Sequence, residues 1–224
     1  MKVVAFVIAD AHGSAEPDAL ASVHGESLLS HAVRGLLDCQ CVDLVVVTVP
    51  ARRFAAFNSV LQALPGAGDR VRAMPGGADR AESIRMALDS VGPSRYEVFL
   101  VHDVARAFTP PGTVQAVAEA VGAHGGAVVP VLPVTDTVKL VGAGDVVTGT
   151  EDRSRLRTLQ APLGCTEAVL RAACAHGGDD VLASLAGDVP VRTVPGHPNG
   201  MRVSTPFDLV IAEAMLVDEH KENR

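Results

Sequence analysis

The stretch Val3–Leu37, VVAFVIADAHGSAEPDALASVHGESLLSHAVRGLL, decides the fold that the sequence predicts. Its first six residues, Val3–Ile8, form an unbroken apolar run, which is typical of a strand buried on both faces. In Leu28–Leu37, the apolar side chains at positions 28, 29, 32, 33, 36 and 37 lie on one face of a helix. The stretch therefore predicts a buried strand, a long loop and an amphipathic helix.

The remaining sequence repeats this alternation of strands with helices. Such alternation is typical of βαβ units, whose right-handed crossovers place helices on both faces of a mainly parallel, doubly wound α/β sheet. At 224 residues, we expect one domain over the whole chain, 1–224. The predicted strands are Val3–Ile8, Val42–Val49, Val71–Met74, Glu97–Val101 and Ala127–Leu132, and the predicted helices are Leu28–Leu37, Ala51–Leu64, Asp79–Val91, Thr113–Val121 and a last one from Pro206 to about Leu216.

One segment interrupts the alternation. Residues 136–156, DTVKLVGAGDVVTGTEDRSRL, alternate with a period of two around two glycines, which predicts a projecting β-arm over about 136–158. The segment is too polar to belong to the core. It is either a surface flap or an element that two subunits of a dimer exchange.

Composition narrows the classes of partner. The formal net charge is −7, and the chain has no Trp, one Tyr and six Phe, which argues against nucleic acid as a partner. No apolar run approaches the length of a membrane span, and the N-terminus is typical of a strand rather than a signal peptide, so we expect a cytoplasmic protein with no membrane partner. The four cysteines lack metal-site spacing, and we interpret them as reduced, structural thiols.

Two motifs follow predicted strands, at the edge where open α/β sheets bind ligands. In FLVHDVARAF, Asp103 is a candidate ligand of a divalent metal or a ribose, with Arg106 nearby for an anion. In PGGADRAESI, the N–H groups of the Gly76-Gly77 turn are candidates to bind an oxygen of a base or phosphate. In each case the alternative is a capping aspartate in an ordinary turn, Asp103 itself or Asp79.

Basic residues gather in the second half of the chain. Arg153, Arg155 and Arg157 alternate, and they would share one face of an extended segment and hold a phosphate there. Arg202 falls in a predicted short strand before the last helix. The alternative interpretations are a solvated face for the three arginines and a salt bridge to the acidic C-terminal tail for Arg202.

Taken in order, these motifs resemble those of the 2-C-methyl-D-erythritol 4-phosphate cytidylyltransferases over nearly the whole chain. GGADRAESI (76–84) is similar to the family's G-G-x-x-R-x-[DE]-S, and LVHDVARAF (100–108) to its V-H-D-x-A-R. VLPVTDTVK (131–139), TEDRSRL (150–156) and MRVSTPFDL (201–209) resemble the segments around the arm and the K-V-T-x-P-x-D-L ending. The resemblance implies a Rossmann-like nucleotidyltransferase sheet of the nucleotide-diphospho-sugar transferase type.

The resemblance also implies an activity and a set of residues. The activity is transfer of CMP from CTP to 2-C-methyl-D-erythritol 4-phosphate, with Mg²⁺ as cofactor, in a homodimer whose arm reaches the neighbouring subunit. The implied catalytic residues are Arg153, Arg202 and Asp103, of which Asp103 also binds the metal. The implied nucleotide-binding residues are Gly76, Gly77, Arg80, Ser83, Asp103 and Arg106, and the implied acceptor-binding residues are Asp136, Thr137, Arg153 and Arg202.

The first loop departs from the family pattern. Where the family has a glycine-rich segment with an arginine and then Pro-Lys, this chain has Gly13 as its single glycine and Asp18 in the place of the lysine. Loss of such a charged donor lowers a transfer rate by about 10²–10⁵-fold, so we expect an impaired enzyme. Arg52 or Arg53 is a candidate to replace the missing charge.

Two alternatives to the cytidylyltransferase hypothesis stay open. A non-catalytic paralogue of the same fold would act as a binding, scaffolding or heterodimer partner. A transferase with a changed substrate that lacks a triphosphate, such as a sugar phosphate, would not need cations in the first loop.

Overall fold

The computed structural model describes residues 1–9, 17–175, 178, 180–185 and 189–222, without the side chains of residues 184 and 217–222. The helices are α1 (Leu28–Asp38), α2 (Phe54–Gln62), α3 (Arg80–Val91), α4 (Pro111–His124), α5 (Glu167–Ala173) and α6 (Pro206–Glu222). The strands are β1 (Val3–Ile8), β2 (Ser22–Val23), β3 (Glu26–Ser27), β4 (Leu44–Val49), β5 (Val71–Pro75), β6 (Val98–Asp103), β7 (Ala127–Pro133), β8 (Val138–Val141), β9 (Val147–Glu151), β10 (Arg157–Leu159), β11 (Leu163–Cys165) and β12 (Val191–Pro195).

The main sheet is mostly parallel, which confirms the predicted fold class. Strands β5, β4, β1 and β6 follow one another as parallel neighbours, and β12 pairs in parallel with β7. Between β6 and β7 the short strand β11 runs antiparallel to both, and β10 pairs antiparallel with the far end of β7. Sequence analysis did not predict β10, β11 or β12.

The strand β1 shows why the apolar run at the start of the chain is unbroken. Its side chains point alternately to the two faces of the sheet, and both faces are covered. Val3, Ala5 and Val7 belong to the core under α1, α2 and α4, whereas Val4, Phe6 and Ile8 belong to the core under α3 and α5.

The predicted arm contains an exposed hairpin. Strands β8 and β9 pair with each other in an antiparallel sheet of their own, and the turn between them has positive φ at Gly144 and Asp145. Four apolar side chains of the hairpin are 49–60% exposed: Leu140, Val141, Val146 and Val147. The arm therefore presents an apolar surface that the chain does not cover within the described residues.

Two local predictions about basic residues are wrong. Arg153–Arg155 form a 3₁₀ turn, because the Asp152 carboxylate accepts the N–H of Ser154, so the alternating arginines do not lie along one extended face. Arg202 lies in an irregular segment rather than a strand.

No helix in the ranges given above is both long enough and apolar enough to cross a bilayer.

Candidate active site

The carboxyl edge of the sheet gathers several of the predicted site residues. Asp103, at the end of β6, is the register partner of Ile8 at the end of β1. On the other side of β1, strand β4 ends at Val49, whose carbonyl accepts the N–H of Gly76 (2.9 Å) in the turn after β5. The loop after β1 and the turns after β4, β5 and β6 therefore lie at one edge of the sheet. Open α/β sheets bind their ligands at this edge.

A cleft of about 450 Å³ opens at this edge. Its walls combine apolar side chains from the ends of β1 and β6 with charged groups from four segments far apart in sequence. The polar lining residues are Arg80, Asp103, Arg106, Gln160, Asp180 and Arg202. Four of the predicted nucleotide, metal and acceptor residues thus meet in one cavity: Arg80, Asp103, Arg106 and Arg202.

Asp103 is the central anion of the cleft. Its Oδ1 accepts the N–H of Ala105 (3.0 Å), which also confirms the capping interpretation, and its Oδ2 accepts from the guanidinium of Arg202. Burial alone would raise the pKa of Asp103, but the positive charges of Arg80 and Arg202 and the Ala105 N–H outweigh burial and lower it. The carboxylate is therefore ionised at neutral pH. Its side chain is 13% exposed.

His102, directly before Asp103, faces the core rather than the cleft and is 1% exposed. Burial lowers its pKa to about 4, against the attraction of the Asp103 charge, so the imidazole is neutral at pH 7. We assign it a structural role.

Arg106 lines the cleft and also holds its frame together. Its Nη1 donates to the carbonyl of Gly200 (2.8 Å) and its Nη2 to the carbonyl of Leu159 (2.9 Å). One side chain thereby joins the turn after β6 to the end of β10 and to the segment before α6. The predicted anion-binding role and this bracing role are compatible, since a guanidinium has five N–H donors.

The Gly76-Gly77 turn is closed by its own side chains. Ser83 is fully buried, and its Oγ accepts the N–H of Gly77 (2.9 Å), while Glu82 accepts the N–H of Ala78 (2.7 Å). With Gly76 bonded to Val49, all three N–H groups of residues 76–78 donate within the chain. Ser83 therefore shapes the turn that carries Arg80 into the cleft, and Gly76, Gly77 and Ser83 are not themselves among its lining residues.

We expect the substitution Ser83→Ala to destabilise the protein by about 1–3 kcal/mol, because it leaves the N–H of Gly77 without its acceptor. Urea unfolding followed by circular dichroism measures this loss. The matched control is Ser90→Ala in the same helix, whose hydroxyl only donates to the carbonyl of Ala87 near the surface (2.7 Å). Equal losses in the two variants would contradict the assigned role of Ser83.

Gln160 is a cleft residue that the sequence analysis did not assign to the site. Its side-chain amide donates to the carbonyl of His197 (2.8 Å) and accepts the N–H of the same residue (2.9 Å). A Cβ on Gly196 would clash with Gln160 Oε1 and crowd the carbonyl oxygen of Val131, so the close approach favours glycine at this position. The sequence contains one indication of this contact, the glycines at 196 and 200, both of which lie close to the Gln160 side chain. The sequence analysis did not connect them with Gln160.

The predicted acceptor residues of the arm lie elsewhere. Asp136, Thr137 and Arg153 are exposed and are not among the lining residues of the cleft described here. The guanidinium of Arg153 donates to the carbonyl of Thr135, which holds it at the base of the hairpin. One chain therefore does not bring these residues to Arg202 and Asp103.

The mouth of the first loop contains an ion pair. Residues 10–16, including Asp10, Gly13 and Glu16, lie outside the described residues, whereas Pro17 and Ala19 line the cleft. Between them, Asp18 Oδ2 lies 2.6 Å from Arg53 Nη1. Burial would raise the pKa of Asp18, but the N–H of Leu20 and the charge of Arg53 lower it. Asp18 is therefore an ionised, paired carboxylate.

Comparison with known proteins gives a consistent result. The family model described as 2-C-methyl-D-erythritol 4-phosphate cytidylyltransferase matches residues 3–218. A protein of that name from Saccharopolyspora erythraea is 50% identical, covering 96% of this chain and 100% of that protein. The crystal structure of the enzyme of that name from Thermus thermophilus superposes with a TM-score of 0.72 at 31% identity, covering 94% of this chain and 97% of that chain. A 4-diphosphocytidyl-2C-methyl-D-erythritol synthase from Anaerococcus prevotii has a TM-score of 0.81 at 20% identity, covering 96% and 98%, and supports the fold alone.

Proposed function

We propose a cytidylyl transfer for this chain, because the chain belongs to the 2-C-methyl-D-erythritol 4-phosphate cytidylyltransferase family. In the proposed reaction, a phosphate oxygen of 2-C-methyl-D-erythritol 4-phosphate attacks the α-phosphorus of CTP. The bond from that phosphorus to the β-phosphate bridging oxygen breaks, and pyrophosphate leaves. The observation that carries the proposal is the partly buried, ionised Asp103 with the cations Arg80 and Arg202 around it in the cleft.

The charges of the cleft suit two polyanionic substrates. Arg80, Arg106 and Arg202 line it from three segments of the chain, and each offers planar N–H donors that match phosphate oxygens. Such a transfer needs little covalent chemistry from the protein; it needs the two reacting groups aligned and their charge neutralised. We assign Arg80 and Arg106 to the nucleotide and Arg202 to the acceptor phosphate.

The donor set fits Mg²⁺, which we propose as the cofactor. Mg²⁺ is typically bound by one or two carboxylates together with substrate phosphates and water, and Asp103 is an ionised carboxylate at the edge of the cleft. Asp103 would hold the ion. When bound, Mg²⁺ neutralises negative charge on the triphosphate. Arg202 would then share the carboxylate with the metal and keep it oriented.

We further propose that the chain, as one unit with its arm over 136–158, works as a homodimer. Arg153, Thr137 and Asp136 do not line the cleft of their own chain, and the hairpin beside them exposes apolar side chains. Docking of that hairpin on a second subunit would bury these side chains and bring Arg153 to the acceptor side of the neighbouring cleft. Two equivalent arms related by a twofold axis would complete two sites.

A direct assay tests the proposed function. We expect the purified chain to release pyrophosphate from CTP only when both 2-C-methyl-D-erythritol 4-phosphate and Mg²⁺ are present. The other product, the cytidine diphosphate ester of 2-C-methyl-D-erythritol, should be detectable by mass spectrometry. Binding of CTP by calorimetry without turnover would favour the non-catalytic paralogue. Turnover with another sugar or polyol phosphate in place of the named acceptor would indicate a changed substrate.

The sequence-based expectation of an impaired enzyme stays a prediction, because residues 10–16 lie outside the described part of the chain. The same assay measures it, through comparison of kcat with that of a family member that has the complete glycine-rich loop and the lysine.

A further inference from the structure

The ion pair at the mouth of the first loop joins two segments that are 35 residues apart in sequence. Arg53 ends a short 3₁₀ turn, Ala51–Arg53, that follows β4 after Pro50. Asp18 follows Pro17, a residue of the cleft wall. Since β4 lies beside β1 in the sheet, the turn after β4 is the neighbour of the loop after β1 at the carboxyl edge.

The order of strands fixes where this pair lies relative to the charged cleft. Along the edge, β6 ends at Asp103, β1 leads into the first loop, β4 leads to Arg53, and β5 leads to the turn before Arg80. A nucleotide that reaches from the turn after β5 to the carboxylate after β6 therefore crosses the ends of β4 and β1. Arg53 is the cation that the described chain places beside the cleft-lining residues Pro17 and Ala19 at that crossing.

Arg53 is held in position but keeps donors to offer. Its Nη1 donates to Asp18, and its guanidinium carbon lies 5.1 Å from the centre of the Phe57 ring. A guanidinium carries five N–H donors in one plane, so a carboxylate on one side leaves donors for a second anion on the other. The side chain is 38% exposed, which leaves it accessible to a ligand at the mouth of the loop.

We propose that Arg53 is a catalytic residue that contacts the triphosphate of the nucleotide, and that Asp18 is a positioning residue that holds Arg53 at the mouth of the first loop. This inference rests on the proposed function. In this arrangement the Asp18 carboxylate holds a cation at the loop, and its negative charge is balanced by Arg53 rather than directed at the triphosphate. The pair carries no net charge, and its positive member is the one able to donate to phosphate oxygens.

The test is a set of variants of the full chain assayed for pyrophosphate release. We expect Arg53→Ala to lower kcat/KM by about 10²–10³-fold, as loss of one charged donor in phosphoryl-type transfer does. Arg53→Lys, which keeps a cation, recovers at least a tenth of the activity. The matched control is Arg52→Ala, which removes the same charge from the same turn at an exposed position, and its activity stays within about twofold.

A second background separates a catalytic role from a structural one. Asp18→Lys places a cation directly on the loop, so Arg53→Ala introduced into that variant lowers kcat/KM by less than about threefold. If Arg53 only packed on Phe57, the two backgrounds would lose equally. Equal losses, or a loss in Arg53→Ala no larger than in Arg52→Ala, overturn the inference.

Binding of CTP with Mg²⁺, measured by calorimetry, distinguishes failure of the inference from failure of the proposed function. If the wild type and the Arg53→Ala variant turn over and bind CTP equally well, the result contradicts the inference alone. A wild-type protein that neither binds CTP nor releases pyrophosphate contradicts the proposed function, and the inference with it. A third outcome is that the wild type binds CTP without turnover. In that case, binding of CTP by Arg53→Ala that is about tenfold weaker than by Arg52→Ala supports the contact with the triphosphate.

Discussion

Asp103→Asn is expected to lower kcat/KM for pyrophosphate release by about 10³-fold, because the neutral amide no longer attracts Mg²⁺ or balances the charges of Arg80 and Arg202. The amide has the same shape, and its oxygen can still accept the N–H of Ala105. The fold should therefore persist. The free energy of unfolding should fall on the order of 1 kcal/mol, since Arg202 is 38% exposed and water screens the lost ion pair.

Two measurements make this expectation specific to the metal role. The first is a titration with Mg²⁺, in which the variant is expected to need a higher concentration than the wild type at every level of CTP. The second is the control Asp43→Asn, in which the carboxylate also accepts a backbone N–H, that of Val3 (2.7 Å), but at the opposite end of β1. Retention of more than a tenth of the wild-type kcat/KM in Asp103→Asn would remove Asp103 from the metal site.

A second large effect is expected in the arm. Replacement of both Val146 and Val147 by Asp places two charges on side chains that are 60% and 57% exposed in the single chain and buried in the proposed dimer. We expect the mass measured by analytical ultracentrifugation to fall from two chains to one. We also expect kcat/KM to fall by at least 10²-fold, because Arg153 no longer reaches a neighbouring cleft.

Control variants show whether the arm acts through assembly. Asp substitutions at the exposed positions Gln62 and Ala63, at the end of α2, add the same charge away from the arm and are expected to leave the dimer intact. A mixture of Arg153→Ala and Arg202→Ala chains tests the shared site directly. If Arg153 acts across the interface and Arg202 within its own chain, subunit exchange restores about a quarter of the wild-type activity, since half of the dimers then carry one intact site. No recovery after exchange would contradict the assignment of Arg153 to the neighbouring cleft.

Sequence analysis succeeded where burial imposes a simple pattern. The strand β1 is apolar on both faces because both faces are covered, so its six residues were predicted with their bounds. Asp103 and Arg106 were found for a related reason: they follow a buried strand, and the ends of such strands meet at one edge. The pattern is local, so a single sequence is enough to show it.

The failures occurred where a residue's environment is set by distant parts of the chain. Strands β10 and β11 are three residues each and only partly apolar, and each is defined by pairing with strands distant in sequence: β11 lies between β6 and β7, and β10 pairs with β7. Arg52 and Arg53 were both candidates to replace the missing charge of the first loop, but the pairing of Arg53 with Asp18 depends on the packing of two neighbouring turns and was not predicted. The alternating arginines were misinterpreted because the cap at Asp152 curls the segment.

The antiparallel segment that contains β10 and β11 has a consequence for inhibition. Residues 157–165 run from the base of the arm directly into the main sheet, and four of them, Leu159, Gln160, Ala161 and Leu163, form part of the cavity wall. A compound that shifts this segment from the side of the hairpin would therefore change the wall of the proposed nucleotide pocket without entering it. Such a compound could be sought by screening for molecules that weaken nucleotide affinity yet are not displaced by excess nucleotide.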